Sequence, residues 1–440
     1  MAKIFEQDLF QGGRLSGSYV QSQLPSYDNL LAFIQDTDCP AFLGIDGRSP
    51  ITHSDLGSFV RETFQSLKTQ HNIGHGSRIA ILIPTGAELP VLLLACLAHF
   101  SCVPLNAASP PDEIRSSLRI VGAQAVLVQK GAYDKALSAI ARELSIRLVE
   151  VVPSKLTAGL IKDDFSAKME SHEAATEHSH QLNGPKDVAL VLFTSGTTGS
   201  KKLVPTLVED VVVGVVCIAA AWGLTSQDRG CNFMPLHHVG GIFRNVLAPV
   251  FTGGSMVCMG SFDPNQFWDT IVAQSCTWYY GVPVMHKLIV KSALDRRVTS
   301  AQGSEEAARD TGGRGSRLVV NSAETLLPST ARDLQQTFTQ ATILPCYAMT
   351  ECMPITSPPK GYALDRPGSV GQSVCPELCV VTDDGEPRPA GQIGHVVVRG
   401  PPCMHGYLDE PKDAPTPFAD EWLATGDLGY LDADGYLYIT

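Results

Sequence analysis

The sequence predicts an α/β fold made of two stacked, doubly wound sheet subdomains and a smaller β-rich third part. Three observations carry this. Apolar runs of strand length alternate with longer helical stretches from Phe42 to about Val152, and the pattern restarts at VALVLF, Val188 to Phe193. From about Pro367 it gives way to short strands between Gly and Pro turns.

In order, RIAILIP (Arg78 to Pro84) reads as a strand, LPVLLLACLAHF (Leu89 to Phe100) as a helix and AVLVQ (Ala125 to Gln129) as a strand. The polar stretch Asp163 to Asp187 reads as a boundary loop. VALVLF then opens a second sheet with the uniform apolarity of a strand buried on both faces. VEDVVVGVVCIAAAWG follows as a helix, and LVV (Leu318 to Val320) and TIL (Thr342 to Leu344) as strands. Arg296 to Arg317, rich in Gly, Ser and charge, reads as a mobile surface loop. The expected units are residues 1–187, 188–366 and 367–440.

The composition excludes several classes. With 440 residues, 44% hydrophobic and 18% charged, the chain is too apolar for general disorder. Lys and Arg total 33 against 45 Asp and Glu, a net charge of -12 with no basic run, so nucleic acid is not an expected partner. The 12 Cys contain no C-x-x-C and are expected to be reduced, mostly buried thiols. MAKIFEQDLFQGG lacks an apolar signal core, and no apolar stretch reads as a membrane span, so a soluble cytoplasmic protein is expected.

LFTSGTTGSKK, Leu192 to Lys202, carries the first chemical signal: a buried strand runs into a loop of hydroxyls and glycines that ends in two cations. Gly196 and Gly199 allow close backbone approach, Thr194, Ser195, Thr197 and Thr198 offer hydroxyls, and Lys202 a point charge, which suits phosphate. It is not a G-x-x-x-x-G-K-[ST] loop. A flexible Ser/Thr/Gly turn is the plain alternative.

Downstream segments decide between the two. TSGTTGSKK (Thr194 to Lys202), MPLHHVGG (Met234 to Gly241), YAMTE (Tyr347 to Glu351), GSVGQ (Gly368 to Gln372) and ATGDLGYLDADGYLYI (Ala424 to Ile439) follow one another in order. GSRIAILIP and VPLNAASPPDEI (Val103 to Ile114) precede them. From about Ala41 to Thr440 the chain resembles the N-terminal core of the adenylate-forming superfamily, which includes acyl-CoA synthetases, adenylation domains of peptide synthetases and luciferases. The resemblance implies that the third part is a distorted β-barrel. It also implies a reaction in which a carboxylate attacks the α-phosphate of ATP, giving acyl-AMP and pyrophosphate.

The same resemblance assigns roles. The loop, including Ser195, Gly196, Thr197, Thr198 and Gly199, would hold the β and γ phosphates. Glu351 would be the Mg2+ ligand, Thr350 a donor to the α-phosphate, Tyr347 the adenine stack and Asp427 the ribose clamp. Ala323 and Glu324 fall on the adenine side. His238 would border the acyl pocket and orient the carboxylate, with a packed core His as the alternative. Thr194, Lys202, His238, Thr350 and Glu351 are thus the expected catalytic residues. His238, Val239, Gly240, Phe243, Arg244, Asn321, Ala348 and Met349 are the expected pocket. Lys201 stands where the family usually has Pro, Leu203 where it has Gly, and Ala348 where it has Gly.

No acid follows the His segment in VGGIFRNVL, which disfavours an amino acid held by its amine. Arg244 is a charge in an apolar helix, either paired within the protein or available to a second carboxylate on the substrate. The family's C-terminal lid and its catalytic Lys are absent from this sequence, so weak turnover is expected of the chain alone. The expected acceptor is a carrier-protein phosphopantetheine thiol in a megasynthase. CoA, in a free-standing ligase, is the alternative, and a non-catalytic nucleotide-binding scaffold is the remaining one.

Overall fold

The computed structural model describes residues 4–5, 7, 9–11, 14–63, 73–162, 181–195, 201–301, 315–408 and 421–440. The apolar runs become strands of two seven-stranded sheets. The first has the order Lys201–Leu207, Val188–Ser195, Ser101–Pro104, Arg78–Leu82, Ala125–Gln129, Arg147–Pro153, Ile161–Lys162. Its inner strands are parallel and its two edge pairings antiparallel. The second has the order Thr342–Pro345, Leu318–Asn321, Trp278–Gly281, Arg229–Asn232, Ser255–Cys258, Pro40–Leu43, Ile51–Thr52, parallel throughout except at the last pair.

Helices fill the space between the sheets. Every residue of Glu88–His99 is buried, and the helix touches the first sheet on one side and the 242–247 turn on the other. Val208–Trp222 is likewise apolar all round and almost wholly buried, as a helix with protein on every side must be. Its closest approach is made through Gly214. A Cβ there would stand 2.3 Å from the Met353 carbonyl oxygen, so only glycine lets the helix lie against the Cys352–Ser357 strand.

A polar knot fixes the end of this helix to the second sheet. Arg317, just before the Leu318–Asn321 strand, donates from Nε and Nη2 to Asp228 at 2.7 and 2.8 Å, and from Nη2 to the Gly223 carbonyl at 2.9 Å. Asp228 also accepts from Thr225 N at 2.8 Å and Thr277 Oγ1 at 2.9 Å. Its side chain is 7% exposed against 40% for Arg317. Asp228→Ala leaves several donors without an acceptor and is expected to cost about 2 to 3 kcal/mol, the lower end for a buried pair because Arg317 is partly solvated. Urea unfolding with an unchanged midpoint would contradict this.

The remaining strands form antiparallel sheets: Tyr347–Met349, Cys352–Ser357, Gln372–Ser373, and Glu377–Val381, Gly394–Arg399, Leu423–Leu431, Leu437–Ile439. Cys352, Ile355 and Val398 pack them together, so the two curl into a half-barrel. All 12 cysteines are free, and most are buried. Among the described residues no helix is long and apolar enough to cross a membrane.

Two expectations change. Val188–Ser195 does not open the second sheet; it pairs with Ser101–Pro104 in the first, Leu190 opposite Cys102. Pro40–Leu43 conversely lies beside Ser255–Cys258 in the second. Sheet membership therefore does not follow a division at 187/188, because a strand buried on both faces has the same apolar signature in either sheet. The stretch from Arg296 is also not a loop throughout, since its first residues extend the helix Pro283–Ala301. There Arg296 Nη2 donates to Asn265 O at 3.0 Å and Asp269 Oδ1 at 2.6 Å. Residues 302–314, like 163–180 of the expected boundary loop, lie outside the described residues.

Candidate active site

In parallel sheets the carboxyl ends of the strands lie on one edge, and the loops that leave them form the natural ligand crevice. Both sheets contribute here. Leu105 and Asn106 follow the Ser101–Pro104 strand, Phe193 and Thr194 end Val188–Ser195, and His237 and His238 follow Arg229–Asn232. Together with Thr350, Glu113, Ser117 and Lys201 they line a cavity of about 470 Å³.

The expected phosphate loop joins two antiparallel strands, with Thr194 opposite Lys202 and Ser195 opposite Lys201. Gly196, Thr197, Thr198 and Gly199 lie outside the described residues. The flank beyond them is well anchored at both positions where the sequence departs from the family pattern. Lys201 Nζ reaches Glu113 Oε1 at 2.9 Å and Ser117 Oγ at 3.3 Å. That contact holds the Glu113 carboxyl below its ordinary pKa. Leu203 is fully buried, and its carbonyl accepts from Leu408 N at 3.0 Å.

Lys202 and Glu351 meet at one residue. Lys202 Nζ stands 4.4 Å from the centre of the Tyr407 ring, and the Tyr407 hydroxyl donates to Glu351 Oε1 at 3.0 Å. Glu351 is 7% exposed, and its carbonyl accepts from Met404 N at 2.8 Å. Two residues before Tyr407, His405 Nε2 lies 3.3 Å from the buried Asp210 carboxylate, which raises the His405 pKa. The 404–407 segment is thus tied to the Val208–Trp222 helix on one side and to Glu351 on the other.

Of the residues expected to hold the nucleotide, the Tyr347 hydroxyl donates to Asp427 Oδ2 at 2.5 Å. Burial, and then this carboxylate, push the Tyr347 pKa well up, so the phenol keeps its proton. Asp427 sits on the Leu423–Leu431 strand with its own N–H on Thr425 Oγ1 at 3.2 Å. After the Leu318–Asn321 strand, Asn321 Nδ2 holds the Glu324 carbonyl at 2.9 Å, closing a turn in which Ala323 adopts a left-handed φ of 73°. Such a φ on a residue with a Cβ is strained and is retained where the surrounding turn fixes it.

The expected acyl residues descend from the cavity into the interior. The His237 and His238 rings lie 4.3 Å apart between centres, tilted by 48°. Burial, and for His237 also its neighbour, lower both pKa values, that of His237 to about 4, so both rings are neutral at pH 7. The helix that follows starts at Val239–Gly241 and continues through Ile242–Leu247 as a π-helical turn, a distortion frequent at functional sites. Phe243 packs against Gly214, and Arg244 is buried beneath Gly240. Ala348 and Met349 are half-buried on the adjacent strand.

Thr194, His238 and Thr350 therefore share the cavity wall, Lys202 and Glu351 are joined through Tyr407, and Tyr347 and Asp427 form a separate pair. Of the expected pocket residues His238 alone is in the cavity lining; Val239, Gly240, Phe243, Arg244, Asn321, Ala348 and Met349 are not. Sequence reasoning missed Tyr407, which sits in an ordinary-looking turn sequence, MHGYLDEP, and becomes notable only through contacts distant in sequence. It also passed over His237, although HH was visible. Among the described residues no three His, Cys, Asp or Glu side chains converge as a metal cluster, and the Glu351 carboxylate accepts from the Tyr407 hydroxyl.

The chain is 29% identical over 402 residues to the oxalate–CoA ligase of Arabidopsis thaliana, covering 90% of this chain and 75% of that protein. It is 28% identical over 422 residues to the sulfoacetate–CoA ligase of Cupriavidus necator, covering 94% and 78%. The crystal structure of ATP-bound MatB from Rhodopseudomonas palustris superposes with a TM-score of 0.78 at 25% identity, over 94% of this chain and 78% of that one. The AMP-binding enzyme profile matches residues 33–408. The chain belongs to the AMP-binding enzyme family.

Proposed function

We propose that the chain activates a small carboxylic acid with ATP, giving acyl-AMP and pyrophosphate, and passes the acyl group to the thiol of CoA. The observation that carries the reading is the convergence of Thr194, His238 and Thr350 on one cavity at the carboxyl ends of both sheets. The CoA ligases among its relatives favour CoA over the carrier-protein thiol expected from the sequence.

In this reading two anions must meet. Thr194 and Thr350 offer hydroxyls to the phosphates, and Lys202, aligned by the Tyr407 ring, offers charge. His238, neutral and on the cavity wall, orients the acid by hydrogen bonding without adding a competing cation. Tyr347 and Asp427 position the base and ribose. A carboxylate suits a hard cation, so Glu351 would hold Mg2+, and the bound ion would screen phosphate charge as the nucleophile approaches. Tyr407 fixes the Glu351 rotamer for that task.

The test is acid-dependent exchange of labelled pyrophosphate into ATP, followed by mass spectrometry for acyl-CoA. Exchange without CoA, and thioester only with CoA, is expected. Neither product from any acid in a panel of aromatic, branched, fatty and dicarboxylic acids would overturn the reading.

A further inference from the structure

We infer that the acid activated here carries a second anionic group and that Arg244 receives it. This rests on the adenylation reading above, since it assigns the far end of the same substrate.

Arg244 is 2% exposed and forms no ion pair or hydrogen bond with any described residue; its Nε is buried without an acceptor. Its guanidinium carbon stands 4.7 Å from the Tyr280 ring centre and 5.7 Å from that of Trp222. Those rings stabilise the charge from the faces of their π systems. They leave the guanidinium N–H fork, which bonds in its own plane, without acceptors. Its titratable neighbour, Cys346, is a buried thiol whose pKa burial pushes up, so it supplies no counter-charge. A buried cation with aromatic walls and no carboxylate is the arrangement expected where the counter-ion arrives with the ligand.

Helical side chains lean towards the amino end of their helix, which carries the Arg244 head back to Gly240. A Cβ on Gly240 would lie 3.4 Å from Arg244 Nη1 and 3.0 Å from the Tyr280 hydroxyl, so the bare glycine is what lets the guanidinium and the phenol pack against the start of this helix. Gly240 is two residues after His238, which lines the cavity. The guanidinium thus lies beside Gly240, two residues from the cavity wall at His238, and the second group of the acid is inferred to reach it from there. The incoming group is a carboxylate or sulfonate taken in bidentate fashion.

The test uses the full chain and compares kcat/KM for pyrophosphate exchange with oxalate, malonate, succinate and sulfoacetate against acetate, propionate and butyrate. The wild type is expected to prefer a dianion. In Arg244→Met the ratio of dianion to monoanion kcat/KM falls about 100-fold, through the KM of the dianion, because a site built to bond a group loses discrimination when its donors go. Damage to the fold alone lowers both classes together and leaves that ratio unchanged, which would overturn the inference. Should Arg244→Met fail to fold, Arg244→Lys keeps the charge and loses the fork, and the ratio is expected to fall about 10-fold. An undiminished ratio in Arg244→Lys would then count against the assignment. A wild type that uses only monoanions sinks the inference while leaving adenylation intact; one that uses no acid sinks both.

Discussion

Glu351→Gln is expected to reduce acid-dependent pyrophosphate exchange by about 100-fold or more, the loss typical when one charge-stabilising contact to a transition state is removed. The substitution is chosen for what it keeps. A glutamine amide oxygen still accepts the Tyr407 hydroxyl, so the 3.0 Å contact and the Lys202 arrangement survive, and only the formal charge is lost. Thermal unfolding should therefore be nearly unchanged while exchange collapses. Raising Mg2+ should restore part of the activity, because a weakened ligand is compensated by mass action. If exchange persists at the wild-type level, Glu351 is a structural acceptor for Tyr407 and the metal assignment is wrong.

That distinction shows which parts of the molecule the sequence discloses. Ala125–Gln129 is a strand at the limits read from AVLVQ, because an apolar run of that length has few other fates. The Glu88–His99 and Val208–Trp222 helices were legible for the same reason. Strand order was not: VALVLF satisfies either sheet, and only the pairing of Leu190 with Cys102 decides. The helix beyond Leu294 was hidden because its polar residues read as loop until Arg296 is seen on Asp269. In the site, residue types and their order were legible from the motifs. The Tyr407 bridge and the Arg244 aromatic box were not, because each joins residues far apart in sequence.

Asp427→Ala is expected to weaken ATP binding by about 10- to 100-fold. Hydrogen bonds to a charged group contribute about 1.5 to 3 kcal/mol, and each 1.4 kcal/mol is tenfold in affinity. Truncation also deprives the Tyr347 hydroxyl, held at 2.5 Å in a largely buried position, of its acceptor. A fall in affinity alone would therefore not separate a ribose contact from a misplaced tyrosine. Asp427→Asn does, since its amide oxygen still accepts from Tyr347 while the charge that would take the ribose hydroxyls is gone. Comparing ATP with 2′-deoxy-ATP completes the test. The wild type should prefer ATP, and both variants should lose most of that preference, Asp427→Asn with Tyr347 still in place. If Asp427→Asn binds ATP and discriminates the two nucleotides as the wild type does while Asp427→Ala binds weakly, Asp427 acts by positioning Tyr347 and the ribose is held elsewhere.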